Sequence, residues 1–173
     1  MTRFTGLVIA SIAAAAIKDQ PAVTSGSEPL ALVREIPVDT LRDVAVAIYD
    51  SRHPVIYYNP TMFRRLGPQL SAFFLAHERG HIRFRHTRAN ALLAGISSRD
   101  SLLQSRELEA DCYATETLAT TNRPAVDAAT RFFSRMGGFR FDHEHPSGAR
   151  RAAEILSCLP VTKTEPLGPR SSR

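Results

Sequence analysis

Two histidines and a glutamate in the stretch FFLAHERGHIRFRH, residues 73–86, have types and spacing that could do metal chemistry. His77 and His81 are four residues apart, which on a helix puts both imidazoles on one face, one turn from each other. Two nitrogens from one rigid element suit two corners of a zinc tetrahedron, at about 2.0–2.1 Å from the ion. Glu78 follows His77 directly, so its carboxylate can reach a water held by the ion without entering the coordination shell. Zinc brings the pKa of such a water toward about 7, and Glu78 is placed to take its proton.

HExxH alone is weak evidence. In a chain with six His, it arises by chance roughly once in a hundred times, so a third ligand must be found. A histidine six residues beyond His81 would complete the metzincin pattern, but position 87 is Thr and position 84 is Phe. His86 comes one residue early on a continuing helix and cannot reach back to the same ion. Its expected place is the C-terminal end of that helix, where a cation suits the dipole. A carboxylate from the following helix is the other solution, and SRELEADCYA supplies it. Glu107 completes a His, His, Glu set that leaves the fourth position to water. Asp111, one turn on, can accept from the outer nitrogen of a ligand histidine and so fix its tautomer. Glu109 faces elsewhere on the helix and is the poorer ligand.

The elements that must position these residues are legible in outline. VAVAIYDSRHPVIYYNP reads as a β-hairpin turning at Asp50 to Pro54. Gly67-Pro68 breaks the chain, and from Pro68 apolar residues recur at helical spacing through Leu70, Phe73, Phe74 and Ile82. HERGH therefore lies inside a helix. A loop over Gly95 to Asp100 leads to a second helix, Ser101 to Leu118, with Leu102, Leu103, Leu108 and Tyr113 as core candidates. A third helix starts at Pro124 and stops at Gly137-Gly138, and a last one covers Ala149 to Leu159. The expected fold class is α+β, mostly helical, with a small sheet before the HExxH helix.

These residues carry a resemblance. HExxH with a further His five residues on, then ExxAD on the next helix, looks like the HtpX and CAAX-prenyl-protease type family of gluzincin metallopeptidases. HPSGARR resembles that family's His-Pro pair six residues before an Arg, here His145, Pro146 and Arg151. The resemblance covers roughly Val55 to Leu156. It implies a zincin-like metallopeptidase domain, one Zn2+ per chain on His77, His81 and Glu107, and Glu78 as the catalytic residue. Many members have transmembrane helices and this chain shows none, so it looks like a soluble, exported branch.

Further roles can be read beside plain ones. Val55, Ile56, Tyr57, Tyr58 and Asn59 form a candidate edge strand for an extended substrate, or an ordinary hairpin strand. His145 is a candidate donor to the oxyanion of the tetrahedral intermediate, or a cap of the last helix. Arg151 is placed to brace Asp111 or Glu107, or to sit exposed. His53 and His143 read as solvated turn residues.

Composition bounds the rest. The chain has 173 residues, 43% hydrophobic and 23% charged, which suits one globular domain. The formal charge is +5, but only Lys18 and Lys163 are lysines and the arginines are scattered without a basic run, so no nucleic-acid partner is expected. Residues 1–18 read as a Sec-type signal peptide too short to span a membrane, 19–30 as a linker, 31–159 as the domain and 160–173 as a disordered tail. That predicts a periplasmic or secreted protein, or a cytoplasmic one if the leader is instead part of the fold. Cys112 and Cys158 would then form one disulfide or remain two buried thiols. The activity expected is a zinc-dependent endopeptidase on peptide or protein substrates. The alternative is a zinc-bound domain that holds a client or partner without cutting it.

Overall fold

A computed structural model describes residues 33–49, 53–86 and 98–160. The signal-peptide and linker segments and nearly all of the expected tail fall outside the described residues. The elements are β1 (Arg34–Pro37), β2 (Ala45–Ile48), β3 (Val55–Tyr58), α1 (Pro60–Leu66), α2 (Pro68–Arg83), α3 (Arg99–Leu118), α4 (Arg123–Met136) and α5 (Gly148–Ser157). The class is α+β, with a three-stranded mixed sheet ahead of the long helices. No helix among the described residues is long and apolar enough to cross a membrane.

The hairpin read from the sequence forms as β2 and β3, antiparallel with Ala47 opposite Ile56. Strand β1 then adds in parallel on the other side of β3, giving the order β1-β3-β2. This corrects the edge-strand reading of residues 55–59. The main chain of β3 is hydrogen-bonded on both sides and has no free edge for a substrate. Asn59 is likewise structural. Its Oδ1 accepts from the amides of Thr61 at 2.9 Å and Met62 at 3.0 Å, and its Nδ2 donates to the Leu41 carbonyl at 2.7 Å. It thereby caps α1, with Pro60 in the first helical position where a missing amide costs nothing. Gly67, at φ 79°, joins α1 to α2, so the predicted break separates two helices rather than a loop from a helix.

Helix α2 lies between two apolar groups. Ile82 and Leu75 meet Ala47 and Ile56 of the sheet. Phe73 and Phe74 join Val126, Ala129 and Phe133 of α4 and Ile155 of α5 in the main core. Each such side chain, once fully buried, contributes about 1.5–3 kcal/mol, enough to fix the helix from both sides. Leu102, a core candidate, is 38% exposed, while Leu103 and Leu108 are buried, so α3 turns its apolar stripe slightly from the expected setting. Helices α4 and α5 approach at Gly148, where a Cβ would stand 2.5 Å from both the Met136 Cβ and the Phe133 carbonyl oxygen. Cys112 and Cys158 are joined in a disulfide that ties α3 to the end of α5.

Candidate metal centre

Helices α2 and α3 cross where Gly80 meets Ala110. A Cβ on Gly80 would lie 3.0 Å from the Ala110 Cα and 3.3 Å from its carbonyl oxygen, so only glycine permits this separation without displacement. Gly80 precedes His81, and Ala110 sits between Glu107 and Asp111. The close crossing therefore brings the His77/His81 face of α2 onto the carboxylates of α3. Nothing in the sequence reading singled out Gly80; the small residues at the fourth positions of HERGH and ELEAD were the available signal.

Three side chains converge at the crossing. The Nε2 atoms of His77 and His81 are 3.0 Å apart. Glu107 straddles them, its Oε2 3.2 Å from His77 Nε2 and its Oε1 3.2 Å from His81 Nε2. Two atoms bound to one tetrahedral zinc at about 2.0–2.1 Å stand about 3.3 Å from each other, so this spacing is near that of a zinc tetrahedron's edges. His77 is buried, and Glu107 is mostly screened from solvent.

The outer nitrogens decide what the inner ones offer. His77 Nδ1 donates to Asp111 Oδ1 at 2.9 Å. Asp111 can only accept, because Arg151 holds it ionised through Nε to Oδ2 at 2.7 Å and Nη2 to Oδ1 at 2.6 Å. Although burial works against its charge, Arg151 and His77 keep the Asp111 carboxyl below its ordinary value. The Arg151 guanidinium also lies 4.1 Å over the Phe133 ring, so core packing fixes the brace.

His81 is oriented by a longer chain. Its Nδ1 is 3.0 Å from His86 Nδ1, and His86 Nε2 is 3.0 Å from Glu109 Oε2. Glu109 accepts, so His86 carries its proton on Nε2 and accepts at Nδ1. His81 must then donate from Nδ1, leaving its Nε2 lone pair inward. Burial, and then the neighbouring His81, push the His86 pKa down to about 4, so it is neutral as the relay requires. This corrects the expectation of a cation at the helix end. His86 is no ligand, but with Glu109 it performs for His81 the task that Asp111 performs for His77. Only the position of Glu109, two residues after Glu107, pointed to it in the sequence.

With both outer nitrogens donating, two imidazole lone pairs and two carboxylate oxygens face one another at 3.0–3.2 Å. Such a set repels itself unless a cation lies within it. In the metal-free chain a proton takes that place. Burial pushes the His77 imidazolium down, but hydrogen bonds to Asp111 and Glu107 outweigh it and raise its pKa to about 10. Burial likewise works against the Glu107 charge, and His77 and His81 still hold its pKa well below the usual carboxylate range. The donor chemistry and spacing fit a divalent ion of zinc's preferences.

The chain matches no family model, no curated protein and no solved structure.

The remaining candidates take different positions. Glu78, 8% exposed, lies on α2 between the metal face and the sheet face. His145 Nε2 is 3.7 Å from Glu107 Oε2, on a loop that leads into α5, while its Nδ1 donates to Asp142 Oδ1 at 2.8 Å. Ser147, not His145, caps α5. His143 and His53 are exposed, as a turn setting implies. The second group of possible ligands, Cys112, Glu154 and Cys158, has its two sulfurs engaged in the disulfide.

Proposed function

We propose that this protein is a zinc-dependent endopeptidase of the gluzincin class, with a zincin-like catalytic domain and one zinc on His77, His81 and Glu107. The observation that carries the reading is the convergence of two imidazole lone pairs, each fixed by a separate hydrogen-bonded partner, on one carboxylate. Held by His77, His81 and Glu107, zinc would supply a Lewis acid for the scissile carbonyl and would acidify a bound water. Glu78 takes the proton from that water and passes it to the leaving amine.

His145 stands on the solvent side of Glu107, where negative charge develops on the substrate oxygen. With Nδ1 committed to Asp142, Nε2 is the ring atom left to face that oxygen. An extended substrate cannot pair with β3. The outer edges of β1 and β2 are the ones not used within this sheet. Of the two, β2 packs on α2, the helix that carries His77 and His81. An exported location agrees with a disulfide between Cys112 and Cys158.

Glu78→Gln tests the mechanism. It should bind one zinc per chain by metal analysis and lose peptide-bond cleavage by at least about a hundredfold, as loss of a general base does. Undiminished cleavage would discard Glu78 as the base, and absence of zinc from the wild-type protein would discard the site.

A further inference from the structure

The loop between α4 and α5 presents two phenylalanines to solvent beside the metal centre. Phe139 and Phe141 are each 60% exposed, the most exposed large apolar side chains among the described residues. They do not stand singly. Their rings meet edge to face at 5.7 Å, and Phe141 meets the His145 ring at 6.3 Å. His145 in turn reaches to 3.7 Å from Glu107. A scattered exposed phenylalanine needs no explanation, but a paired aromatic surface continuous with a reactive centre does.

The loop is held while its aromatic side chains are left free. The Gly148 amide donates to the Phe139 carbonyl at 3.0 Å, and the Ala149 amide donates to the Gly137 carbonyl at 2.7 Å. Gln104 of α3 donates to the His143 carbonyl at 2.8 Å, and Arg99 pairs with Glu144 at 2.5 Å. Asp142 Oδ1 closes the turn by accepting from the amides of Glu144 and His145. Pro146 is fully buried. A backbone fixed to α3 and α5 presents the rings in one place, which lowers the entropy lost when something binds them. The helix that supplies Gln104 and Arg99 is also the one that carries Glu107.

From this we infer that Phe139 and Phe141 form an apolar subsite of the cleft, which selects peptides with a bulky aliphatic or aromatic side chain close to the bond at the metal. The inference rests on the peptidase reading, since it names the substrate class of that same site. An apolar surface of this kind discriminates between large and small side chains by about 10–200-fold. The rings contribute little to the fold, because both are exposed and neither belongs to the core.

The test uses the zinc-loaded full chain carrying Glu78→Gln, so that peptides are bound and not consumed. Fluorescein-labelled dodecapeptides differing only at one central position (Phe, Leu, Ala or Asp) are titrated by fluorescence anisotropy. The Phe and Leu peptides should bind at least about 10-fold more tightly than the Ala and Asp peptides. Adding Phe139→Ala and Phe141→Ala should reduce that ratio to about 2 or less, with zinc content and thermal midpoint unchanged. A parent chain with no apolar preference, or a preference that survives in the double variant, overturns the subsite. A chain with intact Glu78 that shows the preference but leaves the same peptides uncut overturns the peptidase reading and leaves the subsite standing.

Discussion

His77 and His81 offer the same inward nitrogen, but the molecule orients them by two different devices. Behind His77 lie Asp111, 0% exposed, and Arg151, 4% exposed, an ion pair inside the core that links α2, α3 and α5. Behind His81 lie His86 and Glu109, and the glutamate that ends this chain is 51% exposed. The inner brace is therefore a folding element as well as a ligand support. The outer one can lose its Glu109 end at small cost to the fold, because water can solvate what is left. Stability and metal affinity should consequently separate when the two arms are cut in turn.

The largest effect belongs to Arg151→Ala. It leaves Asp111 ionised and buried without its cation, an arrangement that costs about 3–5 kcal/mol when one partner of a buried pair is removed. Urea unfolding of the apo protein should show that loss, and zinc titration should show weakened binding as well. Near-native stability with only the zinc affinity changed would mean that the inner arm is no more structural than the outer one.

The disulfide sharpens the same contrast. Cys112 follows Asp111 directly, and Cys158 closes the helix that carries Arg151, at a sequence separation of 46. Cross-linking a loop of that size stabilises by roughly 2–4 kcal/mol. A Cys112→Ser, Cys158→Ser protein should lose an amount in that range in urea. It should also lose more zinc affinity when combined with a conservative change at Arg151 than when combined with one at Glu109. Equal coupling to both arms would show that the strap acts on the whole fold and not on the inner brace.

The sequence revealed one arm much better than the other. His77 and His81, like Glu107 and Asp111, are four residues apart, so helix geometry alone groups each pair on one face. His86 escaped this logic because it comes after the end of α2. Arg85, just before it, adopts φ 59°, and this turn brings His86 back against His81. A backbone reversal of that kind leaves no periodic trace. The sheet shows a similar limit. The β2–β3 hairpin is a local event and was readable, whereas β1 is a four-residue strand ending in Pro37 that joins β3 across an intervening strand. Its pairing decides that β3 is central, and it depends on contacts distant in sequence. The α+β class was legible because helix spacing and turn residues act locally.

Gly80→Val tests the junction that both arms serve. A branched side chain would drive into the Ala110 backbone, already 3.0 Å from an ideal Cβ. Overpacking at such a contact costs about 1–3 kcal/mol. It should also move α3 outward and take Glu107 away from both histidines. Zinc affinity should fall further than for either single cut to an outer nitrogen's partner. A variant that unfolds earlier but still binds zinc like the parent would show that the ligands do not depend on the crossing distance.

The smallest effect on the fold should come from Glu109→Ala. Half of that side chain is in solvent, so apo stability should stay within about 0.5 kcal/mol of the parent. Without Glu109, His86 is free to place its proton on Nδ1 and donate to His81, which would turn the His81 proton inward onto the metal nitrogen. Zinc affinity should then drop about 10-fold, the low end for loss of a residue that orients a ligand histidine. His86→Ala should reproduce the affinity loss by removing the relay itself, with an added stability cost because His86 is buried. An affinity unchanged by Glu109→Ala would show that His81 holds its tautomer without the relay, and the two arms would then differ in necessity as well as in burial.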